Sequence, residues 1–243
     1  RTADGVPRET RPCSASRAGS ALWGPRPADW TVAGRPTHCG DMSDASPALR
    51  QVLERAQRLG VLGPTPIDDH IRHARHFLDA LAPGPATLLD LGSGAGLPGL
   101  VIADRRPDVA VALLDAQDKR VALLRQAVTA MGCEDRVRVL HGRAEALAHD
   151  EHLRGTFDVV TARLFGPPAV VAECGAPFLA PQGRLLISEP PGSGDRWPAE
   201  GLARLGLARD PGSSAQLTVL RAVEPCPADV PRRTGIPAKR PLF

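Results

Sequence analysis

Leu88-Leu89-Asp90-Leu91-Gly92-Ser93-Gly94-Ala95-Gly96-Leu97-Pro98-Gly99 is the stretch whose reading decides the fold. An apolar run delivers the chain into a turn where Gly92, Gly94 and Gly96 permit positive φ and close backbone approach. A helix start follows, and its free N–H groups point into the crevice beyond the strand. In open α/β sheets ligands bind in that crevice, at the carboxyl ends of the strands.

Outward from this turn, strands and helices alternate. Strands are expected at Thr87–Leu91, Val109–Asp115, Val137–His141, Phe157–Ala162, Gly183–Ser188 and Gln216–Ala222. Helices are expected over about Pro98–Asp104, Asp118–Met131, Pro167–Leu179 and Glu200–Leu205. This alternation predicts an α/β fold, a mainly parallel Rossmann-like sheet with helices on both faces. Upstream, Leu49, Val52, Leu53, Ala56 and Leu59 recur at helical spacing from Pro47 until Gly60. A second helix is expected from Asp68 to Leu81, with Ile71, Ala74, Phe77, Leu78 and Leu81 on one face.

The expected organisation is an extension over 1–41, a helical segment over 42–84, the α/β domain over 85–225 and a basic tail over 226–243. Residues 1–41 show no periodicity and carry five prolines and two of the three tryptophans. Met42 is the first methionine, so 1–41 is expected to be translated upstream sequence or an unstructured extension.

Composition bounds the rest. The 243 residues are 42% hydrophobic and 23% charged, ordinary for a globular chain. No apolar run reaches the about 18 residues of a membrane span, and the start carries no secretory signal, so a cytoplasmic monomer is expected. Cys13, Cys39, Cys133, Cys174 and Cys226 are odd in number and form no C-x-x-C pair. They read as reduced thiols rather than a disulfide frame or zinc site. Tyrosine is absent and the other aromatics are few, so any grip on RNA must lean on Arg, Lys and backbone rather than on stacking. The net charge of +3 is uneven: 1–41 hold six arginines and four acids, and the last twelve residues hold Arg232, Arg233, Lys239 and Arg240 and no acid. A basic end on a mildly acidic body suits a polyanionic partner; a solvated tail fits the charge equally.

Which ligand does the glycine turn take? Gly94-Ala95-Gly96-Leu97-Pro98-Gly99 formally matches G-x-G-x-x-G, a weak pointer to NAD. Asp90, just before the turn, suits a cationic sulfonium amino acid better than a pyrophosphate. Asp115 ends the second strand and can accept both ribose hydroxyls, as it would for either ligand. Glu145 follows the third strand, as in many adenosylmethionine enzymes. His70, His73 and His76 drift around their helix, so they read as a polar, partly basic face rather than metal ligands.

The motifs together resemble the bacterial small-subunit ribosomal RNA methyltransferase G family, also called glucose-inhibited division protein B. Leu89–Gly99 resembles its first motif. Leu114-Asp115 with Lys119-Arg120 and Leu123-Leu124-Arg125 is similar to its second. Gly142-Arg143-Ala144-Glu145 resembles its third and Phe157–Arg163 its fourth, and the tail Arg232–Leu242 is similar to that of many members. The resemblance implies a class I methyltransferase fold, S-adenosylmethionine as cofactor, and methyl transfer to a guanine N7 of 16S ribosomal RNA in the small ribosomal subunit. It implies cofactor contacts at Gly92, Leu97, Ala144, Glu145 and Arg163, to which the physical reading adds Gly94 and Asp115. RNA contacts are expected from Arg232, Arg233, Lys239 and Arg240. No catalytic acid or base and no metal is expected; Arg163 is given an electrostatic role at the cleft. Two features depart from the family. The N-terminal helices lack its Asn-Leu-Thr segment, and Ser188-Glu189-Pro190-Pro191-Gly192 replaces its Lys-Gly. Glu189 is therefore expected to repel phosphate at the cleft mouth.

Overall fold

The turn joins β1 (Ala86–Leu91), an interior strand of a seven-stranded sheet, to α3 (Gly99–Arg105). The computed structural model describes residues 45–84 and 86–243; the expectations for 1–41, including a start at Met42, lie outside them. Before β1 stand α1 (Pro47–Arg58) and α2 (Ile67–Asp79). After α3 come β2 (Val109–Asp115), α4 (Asp118–Ala130), β3 (Val137–His141), α5 (Ala144–Leu147), β4 (Phe157–Ala162) and α6 (Pro168–Gly175). The chain closes with β5 (Leu179–Ser188), α7 (Ala199–Ala203), β6 (Leu207–Arg209), β7 (Leu217–Ala222) and α8 (Ile236–Lys239). The sheet order is β3-β2-β1-β4-β5-β7-β6. β1 to β5 pair in parallel, whereas β7 runs antiparallel to both β5 and β6. This is the mainly parallel, Rossmann-like α/β sheet that the alternation of elements predicts, with helices on both faces.

Alternation along the strands divides the interior into two cores. Leu88, Val111 and Leu113 face the layer of α1–α4, joined by Leu49, Leu53 and Phe77 from the first two helices. Leu89, Leu91, Ala112 and Leu114 face the opposite layer, with Phe157 and Phe178. The same alternation puts Asp90 on the α3 side, which decides what its carboxylate meets.

Several elements differ from the sequence reading, the short helices α5 and α8 among them, which it did not contain. The helix expected over Pro167–Leu179 stops at Gly175, followed by a 3₁₀ turn at Ala176–Phe178. Pro177 has no N–H to continue the ladder. β5 starts at Leu179 rather than Gly183, with Gln182 at φ +64° and a register shift against Phe157/Val159. β6 is three residues long, too short for periodicity to reveal.

Candidate functional site

Strand register brings the chemistry together. Leu91 pairs with Leu114 and with Ala162, and Asp115 pairs with His141. The loops carrying Gly92, Asp115, Glu145 and Arg163 therefore leave the sheet at one edge. Gly92 and Gly94 have φ of +69° and +58°. A Cβ on Gly92 would lie 2.6 Å from the Phe165 ring, so only glycine lets that ring cover the turn. Asp115 latches the loop: its Oδ2 accepts from Gly94 N–H and its Oδ1 from Gln117 N–H, both at 2.9 Å. Its side chain is 4% exposed, with the Arg120 guanidinium 3.7 Å away.

Glu145 opens α5 and is also buried. Its Oε1 accepts from Arg143 at 3.2 Å and from the Gly235 N–H of the tail at 3.1 Å. Burial pushes this carboxyl up, but hydrogen bonds from its own amide, from Gly235 and from Arg143 outweigh burial and hold it below the usual range. Leu97 and Ala144 lie in the two apolar cores, so their side chains shape the turns they sit in rather than lining an open crevice.

Asp90 is placed otherwise than expected. Its carboxyl is 1% exposed; Oδ1 accepts from Thr161 at 2.8 Å and Oδ2 from Gly99 N–H at 3.2 Å. Alternation turned it into the α3 layer, so it holds the helix start instead of facing a cationic ligand. Burial pushes it up to about 6 against these hydrogen bonds and the charge of Arg163. Stability from the protonated form is full below the ordinary value of 3.8 and is lost as pH rises through about 6. Asp90→Asn, whose amide can accept from Gly99 and donate to Thr161, removes that loss. At pH 7.5 the variant is expected to melt several degrees above the wild type, up to about 3 kcal/mol more stable. The gap should close near pH 4 in a series of thermal melts; a wild type that is more stable at every pH would refute the assignment.

Beside the turn, at the tips of β4 and β5, lies a hollow of about 340 Å³ lined by His73, Arg163, Phe165, Glu189, Arg196 and Trp197, among others. Arg163 donates to His70 Nδ1 at 3.1 Å, and His70 Nε2 lies 3.4 Å from Gly63 O. Burial lowers the pKa of both His70 and His73. His70 is thus buried and His73 half-buried, and burial disfavours the charged form of both, which makes the expected polar, partly basic face less basic than its three histidines suggest. Leu164, 89% exposed at φ +56°, stands at the rim.

The expected repulsion at Glu189 is also corrected. Its side chain is 6% exposed, and its oxygens accept from Arg196, Ser193, Trp197 Nε1 (2.6 Å) and Thr218 Oγ1 (2.8 Å). Burial raises its pKa, but Arg196 and the other donors outweigh that and hold it low. The charge is thus neutralised internally, and a cation, Arg196, reaches the hollow. Sequence reasoning missed Arg196 and Trp197, seven and eight positions downstream in a loop without periodicity.

The tail is ordered around the same end of the sheet. Arg232 is held by Glu173 of α6 through Nε at 2.8 Å and Nη2 at 2.7 Å, and it also donates to Arg240 O. It is a structural clamp rather than a free RNA contact. Arg233, Lys239 and Arg240 are exposed, as an RNA contact requires. Arg154 anchors the approach by donating to the carbonyls of Cys226, Pro227 and Val230.

Glycine bends that permit close backbone approach and the buried acceptors Asp115 and Glu145 thus lie together at one edge of the sheet. Residues 49–190 match the family described as rRNA small subunit methyltransferase G. The chain is 37% identical over 190 residues to the ribosomal RNA small subunit methyltransferase G of Roseiflexus sp. (strain RS-1), covering 70% of this chain and 79% of that one. To the protein of that name from Moorella thermoacetica it is 32% identical over 209 residues, covering 79% and 86%. To that from Streptococcus pyogenes serotype M5 it is 32% identical over 189 residues, covering 70% and 79%. A glycine turn latched by a strand-end aspartate, on a sheet closed by an antiparallel β7, in a chain that matches these proteins over most of their length, belongs to the rRNA small subunit methyltransferase G family.

Proposed function

We propose that this chain transfers a methyl group from S-adenosylmethionine to N7 of a guanine in 16S ribosomal RNA, working in the cytoplasm on the small ribosomal subunit. The observation that carries the cofactor reading is the bond from Gly99 N–H to Asp90. A dinucleotide fold seats its pyrophosphate on the first helix's N-terminal amides. Here that seat holds a buried carboxylate, which a phosphate would face at close range. Antiparallel β7 between β5 and β6 also departs from the dinucleotide order 3-2-1-4-5-6.

Gly92 and Gly94 give the cofactor's backbone cradle, Asp115 accepts from its ribose hydroxyls, and Glu145 and Arg163 flank it. Adenosylmethionine supplies an electrophilic methyl carried on a sulfonium. Guanine N7 has an in-plane lone pair and no proton, so the chain needs no general base. Its residues act by alignment and by excluding water, with Phe165 covering the turn.

Calorimetry with adenosylhomocysteine and with NADH, then labelled adenosylmethionine with 30S subunits, tests the reading. Binding of the first ligand only, with label in 16S RNA, is expected; NADH binding or unlabelled RNA would overturn it. The tail's share is tested by Arg233→Ala/Lys239→Ala/Arg240→Ala. This variant should weaken RNA binding and reduce the log–log salt slope by roughly 2–3. Adenosylhomocysteine affinity and Tm should not move. Truncating 231–243 is a poorer probe, because it also removes the Gly235 contact to Glu145 and the clamp on Glu173.

A further inference from the structure

Arg163, just beyond β4, is half-buried, and among the described residues it has a single hydrogen-bond partner, His70 Nδ1 at 3.1 Å. A guanidinium only donates, so Nδ1 holds a lone pair. The ring proton then sits on Nε2, 3.4 Å from Gly63 O. Gln57 of α1 donates to the same carbonyl at 2.7 Å and fixes it in place. His70 itself is buried on α2.

Arginine is seldom buried without a paired acid. Acids stand close by and are engaged elsewhere. Asp69, next to His70, pairs with Arg72, and Asp68 pairs with Arg50. Asp90 acts on Arg163 through its charge, but its oxygens accept from Thr161 and Gly99. A neutral imidazole therefore orients this guanidinium without cancelling its charge. The remaining N–H donors stay free for an anionic group of a ligand. In the cofactor that group is the carboxylate of its amino acid part.

We infer that His70 is a positioning residue, whose unprotonated Nδ1 aims Arg163 at the cofactor's carboxylate and leaves the guanidinium charge uncancelled. This rests on the reading of Arg163 as a flank of the cofactor. Protonation of His70 ends the arrangement, because an imidazolium offers no acceptor and repels Arg163. The charged groups facing the ring are Arg163 from the end of β4 and Asp69 from α2 itself. Burial and Arg163 disfavour the charged ring, against the Gly63 hydrogen bond and Asp69. His73, one turn on, is disfavoured in its charged form by burial, Arg163, His76 and His70. His70 is thus neutral near pH 7 and charges only below the ordinary value of 6.5.

Calorimetry of the full chain with adenosylhomocysteine, between about pH 5 and 8, is the test. His70→Asn puts an amide oxygen near the place of Nδ1 and does not titrate; His70→Leu removes the acceptor. At the alkaline end the asparagine variant should bind within about twofold of wild type, and the leucine variant about tenfold more weakly. Wild-type affinity should fall as pH drops below 6.5, and that of His70→Asn should fall less. Asp90 and His73 titrate in both proteins, so the difference belongs to His70. Arg163→Met should also lose about tenfold, and adding His70→Leu to it should cost little more. A His70 that only packs would lower Tm, leave the pH profile of His70→Asn like that of wild type, and add its full effect to Arg163→Met. That result overturns the inference and leaves the methyl-transfer reading standing. Unchanged affinity in Arg163→Met overturns the inference together with the place of Arg163 at the cofactor. Wild-type protein that binds no adenosylhomocysteine overturns the cofactor reading as well. If the leucine variant does not fold, the pH comparison with His70→Asn decides alone.

Discussion

Arg232→Ala is expected to lower stability by roughly 3 kcal/mol, because it strands Glu173 as an uncompensated charge inside the protein. Glu173 is 0% exposed, and every residue of α6 around it is buried or nearly so. Its two oxygens accept from the Arg232 backbone N–H, Nε and Nη2. Alanine keeps only the backbone bond. At this chain length the loss corresponds to a fall in Tm of about 6–12 °C. The site should register it as well. The clamp holds the tail segment that brings Gly235 N–H to Glu145, so adenosylhomocysteine affinity should drop several-fold. Arg232→Lys should not rescue, since a point charge cannot fill a two-pronged acceptor. Arg233→Ala, the same charge change one residue on at an exposed position, should leave Tm and cofactor affinity where they are. Equal melting of the two alanine variants would show that the clamp does not hold the tail.

That contrast between neighbours marks where sequence reading reaches its limit. The sheet was legible because its evidence is local: Val109–Asp115, Val137–His141 and Phe157–Ala162 appear with the bounds their patterns predict. The glycine turn, Asp115 at the end of β2 and Glu145 just beyond β3 were legible for the same reason, since topology sends successive strand ends to one edge. Side-chain direction was not. Asp90 faces α3 because strand positions alternate, and only the packed helix shows that Gly99 N–H is its partner. Four cations in the tail look alike in sequence, but Arg232 is withdrawn by an acid 59 positions away. Glu189 reads as a repulsive charge until Arg196, Trp197 and Thr218 fold over it. Pairings across long sequence distances carry no periodic signal, so the functional consequences of charge were the least legible part.

Asp115→Ala tests the central latch, and it should reduce adenosylhomocysteine affinity about a hundredfold or more. In the described structure both carboxylate oxygens already accept from loop N–H groups, Gly94 on one side and Gln117 on the other. The same two oxygens are the acceptors available to a ribose at the end of β2. Hydrogen bonds to an ionised acceptor contribute about 1.5–3 kcal/mol each, so losing a pair of them spans about two to four powers of ten in Kd. Asn at this position should fare little better. Its amide nitrogen has to oppose either the Gly94 or the Gln117 N–H, a donor against a donor. Asp118→Asn supplies the control: it replaces an acid three residues on, at the start of α4, with a side chain 94% exposed, and it should bind the cofactor product as the wild type does. Calorimetry of the three variants distinguishes a ribose acceptor from a merely structural latch by the size of the loss relative to any change in Tm. A buried acid that only braced the turn would shift melting and leave affinity in the surviving folded fraction intact, and that outcome would remove Asp115 from the binding site.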